Sequence, residues 1–398
     1  MTISHVYLGD DLAAYVMAGH IFAEGRFDAI YPSVEAAREL APPDYWSNSA
    51  NLLGRDKPAL SPFIYPPLWA AVMGALHPVT TYGALKVIFS GLVTTALIFT
   101  AEFTRRLVAP EVSPLASIWS AGVFIPCTTI GVITLNELQA QAFVAVFTVG
   151  AFAFSASRRP AIAGTLLALA ASLKLFPALF VLFWIARGSW KEAAYFTAVG
   201  ATLGCLSIAA GGWDMTYTFL LVTSELSSIS VTVVTSLGLT PVLSILEHPD
   251  VLQAAFNGTG NPLSALRNTA PLWVSLFTKG ILIVGLGVLV WLSRHATRFD
   301  FHTQILPTAL FLVPLTLPLA WTHSYAWALF FPVLLYISTS DRFYGYLTLV
   351  LFAGTNTLWI TGDIFSFDEK HIMVPVIGTV SVIGIATALF SRTVKSMA

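Results

Sequence analysis

Charge is what this sequence has least of. Asp, Glu, Lys and Arg make up 10% of its 398 residues, against about 25% in soluble domains. So few charges cannot cover a folded surface in water, which excludes a freely soluble globular protein. The charges that are present nearly cancel, at a net −1, so nothing points to nucleic acid as a partner. Cysteine is equally scarce. Cys127 and Cys205 both fall in apolar runs, which supports neither a disulfide framework nor a thiolate metal site; both are expected to be packing residues. No basic stretch followed by a compact apolar one opens the chain, so no signal peptide is visible.

What fills the sequence is apolar surface, with 56% hydrophobic residues and a mean hydropathy of +0.76. Apolar runs of about 17–25 residues fit helices crossing a hydrocarbon core of about 30 Å, whereas barrel strands would be shorter and alternating. The expectation is an all-α polytopic membrane bundle with about 9 full spans. Their approximate limits are 83–104, 113–131, 139–156, 193–211, 273–293, 303–320, 324–339, 345–361 and 372–390. Basic residues gather between alternate spans: Arg105 and Arg106, Arg158 and Arg159, Arg187 and Lys191, Arg294 and Arg298, Arg342, then Arg392 and Lys395. The positive-inside rule makes that side cytoplasmic. The opposite segments, 1–62 and 212–272, are acidic or polar and are expected to be outward loops. Residues 1–62 carry eight Asp/Glu against four Lys/Arg.

Two segments would break this parity if they crossed singly. "PAIAGTLLALAASLKLFPALFVLFWIA", residues 160–186, has basic residues at both ends. It reads as a hairpin of two short helices that turns near Lys174 and Pro177 inside the membrane, where irregular backbone must be buried in protein or line a wet cavity. "FIYPPLWAAVMGALHPV", residues 63–79, reads as a juxtamembrane helix along the outer surface, with Pro66 and Pro67 set for its first turn. No internal repeat or low-complexity tract is evident, so residues 1–398 are taken as one domain.

The residues that could do chemistry lie mostly on the outward side. Asp10 and Asp11, with Tyr15 one helical turn later, offer a carboxylate able to accept a proton from an incoming hydroxyl; the same pair would also suit a helix cap. Arg55 and Lys57 could grip an anionic head group or simply be solvated. Asn136, Glu137, Gln139 and Gln141, in "ITLNELQAQ", form a polar turn between spans, suited to sugar hydroxyls or to capping. Lys174 is the sharpest single residue, because a lysine at membrane depth is rare and usually functional, although such side chains also snorkel toward an interface. His323 sits in "LAWTHSYAW" between two spans, beside Trp321 and Tyr325, an aromatic belt that membrane interfaces explain without function. Asp363, Asp368, Glu369 and His371 have a metal-like composition but no ligand spacing, and read as a solvated loop. Asn257-Gly-Thr259 is a glycosylation sequon by pattern alone.

In their order these features resemble glycosyltransferase family 87, the polyprenol-phosphate-mannose-dependent mannosyltransferases of the GT-C superfamily. The resembling residues are Asp11-Leu12 with Tyr15 and Gly19, Tyr65-Pro66-Pro67, the turn Asn136 to Gln141, the stretch around Lys174 and Pro177, and "WTHSYAW" around His323. The resemblance implies a sugar moved from a lipid phosphate to an acceptor hydroxyl at the outer face of the plasma membrane. It implies Asp11, before Asp10, as general base. The lipid phosphate departs opposite the attacking hydroxyl, inverting the anomeric carbon, and its growing charge needs donors: Lys174, His323 and Lys57, in that order. Tyr15, Tyr65, Asn136, Gln139 and Gln141 would line the donor site. The scheme needs no metal and no cofactor, because a monophosphate leaves without a bridging cation. Partners would be the polyprenyl-phosphate-linked sugar, a glycan or glycolipid acceptor, and the bilayer. Two departures stand out: relatives carry a membrane helix before the aspartate, implying one missing here, and a glycine-glutamine-asparagine turn where this chain has "LNELQAQ". Competing classes are a lipid or sugar transporter, which would show a central polar pathway and paired halves, and a polysaccharide polymerase using a diphosphate-linked donor.

Overall fold

The computed structural model describes residues 11–49, 53, 60–76, 80–232, 235–247, 267–338, 341–356 and 367–397. Helix dominates among them; the one sheet is a short ribbon in which β1 (Ile229–Val231) pairs antiparallel with β2 (Arg267–Thr269).

The chain begins with α1 (Asp11–Ala23), α2 (Val34–Arg38), α3 (Trp46–Ser49) and α4 (Pro67–Leu76). The expected loop 1–62 therefore contains three helices. The 63–79 segment contains one of ten residues, which reaches only about 15 Å and cannot cross a bilayer. α1 and α4 meet backbone to backbone at Gly19, where a Cβ would lie 2.6 Å from Met73 Cβ and 2.8 Å from the Gly74 nitrogen. A larger residue would push the two helices apart.

α5 (Tyr82–Val108) is long and apolar enough to span. Thr81 caps its start by accepting the Ala84 N–H, and Arg105 and Arg106 close its last turn, where cations complement the helix dipole. Both arginines bind Glu102, at 2.8 and 2.7 Å. The straight span expected over 113–131 is instead two helices, α6 (Pro114–Cys127) and α7 (Thr129–Glu137), bent by 79°. Pro126 lies in the last turn of α6, and Thr128 leaves the helix to cap α7 through the Gly131 N–H. A Cβ on Gly131 would sit 2.1 Å from the Ile125 carbonyl, so only glycine permits so sharp a corner. α8 (Gln141–Ala156) follows, shorter than a straight crossing, with its end marked by Arg158 in the left-handed region at φ 57°.

α9 (Pro160–Leu173) stops at Lys174, a 3₁₀ turn runs over Phe176–Phe180, and α10 (Val181–Ala186) completes the segment. Arg158 and Pro160 at one end line the same cavity as Trp184 and Arg187 at the other. The chain therefore reverses at Lys174, in the hairpin that parity required. α9 packs against α8 and α11 (Trp190–Leu226). α11 corrects the predicted start of a loop at 212: the helix continues to Leu226 across a break at Gly212, whose φ of 77° ends one helical segment and starts the next. α12 (Leu239–Ile245) lies in the remainder of the expected 212–272 loop.

The last part holds α13 (Leu272–Ser293), a π-turn over Phe301–Ile305 leading into α14 (Leu306–Thr316), a 3₁₀ helix over Thr322–Ala328, α15 (Phe331–Ser338), α16 (Arg342–Gly354) and α17 (Phe367–Met397). Asp368, Glu369 and His371 thus lie on a helix and not in the expected loop. Asp363 and the 257–259 sequon are outside the described residues.

Among the described residues four helices, α5, α11, α13 and the Val374–Val394 part of α17, are long and apolar enough to span, or five if the bent α6–α7 pair counts as one. The other apolar helices have 10–17 residues, and the larger predicted count of about 9 depended on them. On these helices Val87, Trp119, Ile283, Val284 and Val380 point outward. Apolar residues all round a helix are what lipid requires and what water penalises, so the protein is membrane-embedded. Cys127 and Cys205 are exposed, which corrects their expected role as packing residues. Hydropathy could not have told the difference, since a lipid-facing position is as apolar as a core one.

Candidate active site

Four helix termini and two connecting segments converge at one end of the bundle. Asp11 is the first residue of α1, where the dipole favours negative charge. Tyr65 immediately precedes α4, Glu137 closes α7, Gln141 opens α8, Lys174 ends α9 and His323 lies in the first turn of the 322–328 3₁₀ helix. Lys174 lies within electrostatic range of Asp11 and Glu137. Tyr65 is likewise in range of both carboxylates, and His323 is in range of Lys174. The hairpin thus brings a lysine within electrostatic range of two carboxylates and an imidazole.

Several of these residues are held from behind. Tyr15, buried on α1, packs against Tyr65 with ring centres 4.4 Å apart and planes tilted by 30°, and meets Phe63 edge-on at 5.7 Å. Tyr31 donates to the Tyr65 carbonyl at 2.6 Å. Burial pushes the Tyr65 phenol well above its usual value and the Asp11 carboxylate adds to the rise, so Tyr65 remains a neutral donor. The turn before Lys174 is fixed by Trp69, whose indole N–H donates to the Ser172 carbonyl at 2.7 Å. After it, Phe176 packs on Trp327 at 5.3 Å.

The segment carrying His323 is a seven-residue 3₁₀ helix, longer than the three or four residues usual for that geometry, and it needs outside support. Thr322 donates through its N–H and its hydroxyl to the Thr235 carbonyl, at 2.7 and 2.8 Å. Tyr325 donates to the Leu237 carbonyl, Trp327 to the Leu310 carbonyl, and Gln141 to the Ser324 carbonyl. Trp321 stacks beside His323, its ring tilted by 14°. His323 itself is 2% exposed, and neither imidazole nitrogen has a hydrogen-bond partner among the described residues. The side-chain carbonyls of Gln139 and Gln141 are also buried without partners. Buried polar atoms are normally satisfied; here several are not, at a site of opposed charges.

Of the sequence candidates, Asp11, Tyr15, Tyr65, Gln139, Gln141, Lys174 and His323 fall at this end of the bundle. Asn136 is exposed; it is on the last turn of α7, where neighbouring positions face different directions. Asp10 and Lys57 lie outside the described residues. Glu137, in the polar turn Asn136 to Gln141, lies within electrostatic range of Lys174. Its only sequence signal was an acidic residue at the end of an apolar run.

The model of glycosyltransferase family 87 matches residues 63–318, more than half of the chain. The chain belongs to glycosyltransferase family 87. This family 87 protein is therefore a glycosyltransferase, with a glycosyl donor, an acceptor and the bilayer as its partners in general terms. The matched stretch includes Tyr65, Glu137, Gln139, Gln141 and Lys174, while Asp11 and His323 flank it. No curated protein matches the chain significantly.

Proposed function

We propose that the family 87 protein is an inverting hexosyltransferase that moves a sugar, mannose by preference, from a polyprenyl phosphate to an acceptor hydroxyl. It works at the outer face of the plasma membrane. Asp11 takes the proton of the acceptor hydroxyl, whose oxygen attacks the anomeric carbon. The bond from that carbon to the phosphate oxygen breaks, and the electron pair leaves on the polyprenyl phosphate.

Charge grows on the phosphate as it departs, and groups aimed at that growing charge lower the barrier more than groups that bind substrate and transition state equally. Lys174 and the N–H of His323 would supply such groups. Tyr65, Gln139 and Gln141 would hold sugar hydroxyls, and the buried carbonyls of the two glutamines suit hydroxyl donors. The observation that carries the reading is the meeting of Asp11, Lys174 and His323, from three distant parts of the chain, at one end of the bundle. Arg158, Arg187, Lys191 and Arg298 lie at the far ends of α8, α9 and α10, which favours an outward Asp11 under the positive-inside rule. The bent and shortened helices would complete about 9 crossings.

The deciding experiment measures transfer from radiolabelled polyprenyl-phosphate-mannose in membranes containing the full chain, with Asp11→Asn beside it. Removal of a general base costs about 10²–10⁴-fold, so label in product should fall at least that far. Equal turnover by the two proteins removes Asp11 from the role, and transfer only from a diphosphate-linked sugar would make the protein a polymerase-type enzyme.

A further inference from the structure

At the other end of α8 and α9, about 20–25 Å from the Asp11 cluster by helix rise, lies a cavity of about 450 Å³. Four cationic side chains line it, Arg158, Arg187, Lys191 and Arg298, against one carboxylate, Glu192. That carboxylate already accepts a hydrogen bond from Ser155 at 3.1 Å. The cavity is therefore strongly positive.

Its wall is built and not merely a run of surface charges. Arg187 is half-buried; it donates to the Ser293 and Ala296 carbonyls and lies 4.6 Å over the Phe301 ring. Arg298 donates to the Ala156 carbonyl. A guanidinium has five N–H donors, so both arginines are oriented by the protein with donors to spare. A second observation is independent of charge. Trp184, 2% exposed, lines the cavity, and its indole N–H is buried with no acceptor among the described residues. An indole nitrogen can only donate, so its missing partner is an acceptor.

Multiple positive donors, an orphan N–H and an apolar flank of Phe152 and Phe301 fit one chemical group, an anionic phosphate attached to something larger. We propose that this cavity is a phosphate-binding site, separate from the Asp11 cluster, that takes the phosphodiester head group of an anionic membrane lipid. Basic pockets between membrane helices bind such head groups, and the volume is in the range of small-molecule sites. A soluble phosphate would offer the same oxygens, and the arms below distinguish the two.

The full chain, purified in detergent, is titrated with phosphatidylglycerol, phosphatidylcholine or inorganic phosphate, and retention is read by native mass spectrometry with the unfolding temperature beside it. Phosphatidylglycerol should be retained and should raise the unfolding temperature, while phosphatidylcholine should do neither. Lys191→Gln and Arg298→Gln should each weaken retention about tenfold or more, the factor expected for a charge-assisted hydrogen bond. Trp184→Phe should weaken it several-fold without lowering the stability of the lipid-free protein, because Phe removes an unsatisfied donor and keeps the ring. If inorganic phosphate binds and neither lipid is retained, the lipid head group is overturned and the site takes a soluble phosphate. Equal retention of the two lipids, or retention unchanged in all three variants, overturns the proposal. Since the readout is binding, the outcome does not depend on whether Asp11 catalyses sugar transfer.

Discussion

Replacing His323 by phenylalanine separates a residue kept for function from one kept for folding. The imidazole is 2% exposed and both nitrogens lack hydrogen-bond partners among the described residues. A buried polar group without a partner costs about 1–3 kcal/mol. Taking the low end for each nitrogen, His323 destabilises the fold by about 2 kcal/mol relative to an apolar ring of similar shape. Phenylalanine keeps the stacking against Trp321, and its slightly larger ring offsets part of the gain through overpacking, by about 1 kcal/mol. The net expectation is a variant as stable as the parent or about 1 kcal/mol more stable. For a chain of this length that is an upward shift of about 1 °C in unfolding temperature. Transfer activity should fall, by about 10²-fold if one donor to the departing phosphate is lost. The assay pairs thermal unfolding in detergent with transfer from the lipid-linked sugar. A loss of stability of 1 kcal/mol or more would refute the reasoning, since it would show that the imidazole is satisfied in the fold; unchanged transfer would remove His323 from the site.

Two further substitutions test how the site is held. Gly19→Ala should cost about 1–3 kcal/mol by overpacking, because its Cβ would lie 2.6 Å from Met73 Cβ, and it should slow transfer by displacing Asp11 on the same helix. Gly91→Ala, where nothing lies within 4 Å of the added Cβ, should leave both properties unchanged or raise stability; equal behaviour of the two variants would dismiss the close contact of α1 and α4. Glu102→Gln removes the carboxylate that pairs with both Arg105 and Arg106. With the Arg105 side chain only 9% exposed, about 2 kcal/mol of stability should go, seen as a lower unfolding temperature. Unaltered unfolding would mean that the Pro110 and Val112 carbonyls, which Arg105 also binds, satisfy it alone.

The membrane class, the break at Lys174 and the short helix at 63–79 were legible because each follows from the chain's own local content: apolar runs, prolines, and basic residues at both ends of one segment. The candidate residues were legible for a related reason, since polar groups stand out against an apolar background. The bend between α6 and α7 was not legible, because Pro126 alone is tolerated in many membrane helices; the corner also requires Gly131 to pass within contact distance of the Ile125 carbonyl. Nor was the continuation of α11 to Leu226, where Gly212 reads as a stop until its φ of 77° is seen to join two helical segments. The burial of Gln139 and Gln141 just past the exposed Asn136 follows the left-handed turn at Leu138, which no residue preference demanded.

By itself the sequence determined that this protein lives in a membrane and carries a few polar residues at the ends of its apolar helices. Hydrophobic transfer is a property of each segment taken alone, so it can be read one segment at a time. Only the tertiary structure decided which of those ends meet. Asp11, Glu137, Lys174 and His323 are far apart along the chain, and what brings them within electrostatic range is the length of α8 and α9, the reversal at Lys174 and the hydrogen bonds from Thr322 and Gln141. These are cooperative packing contacts that exist only once the helices stand side by side.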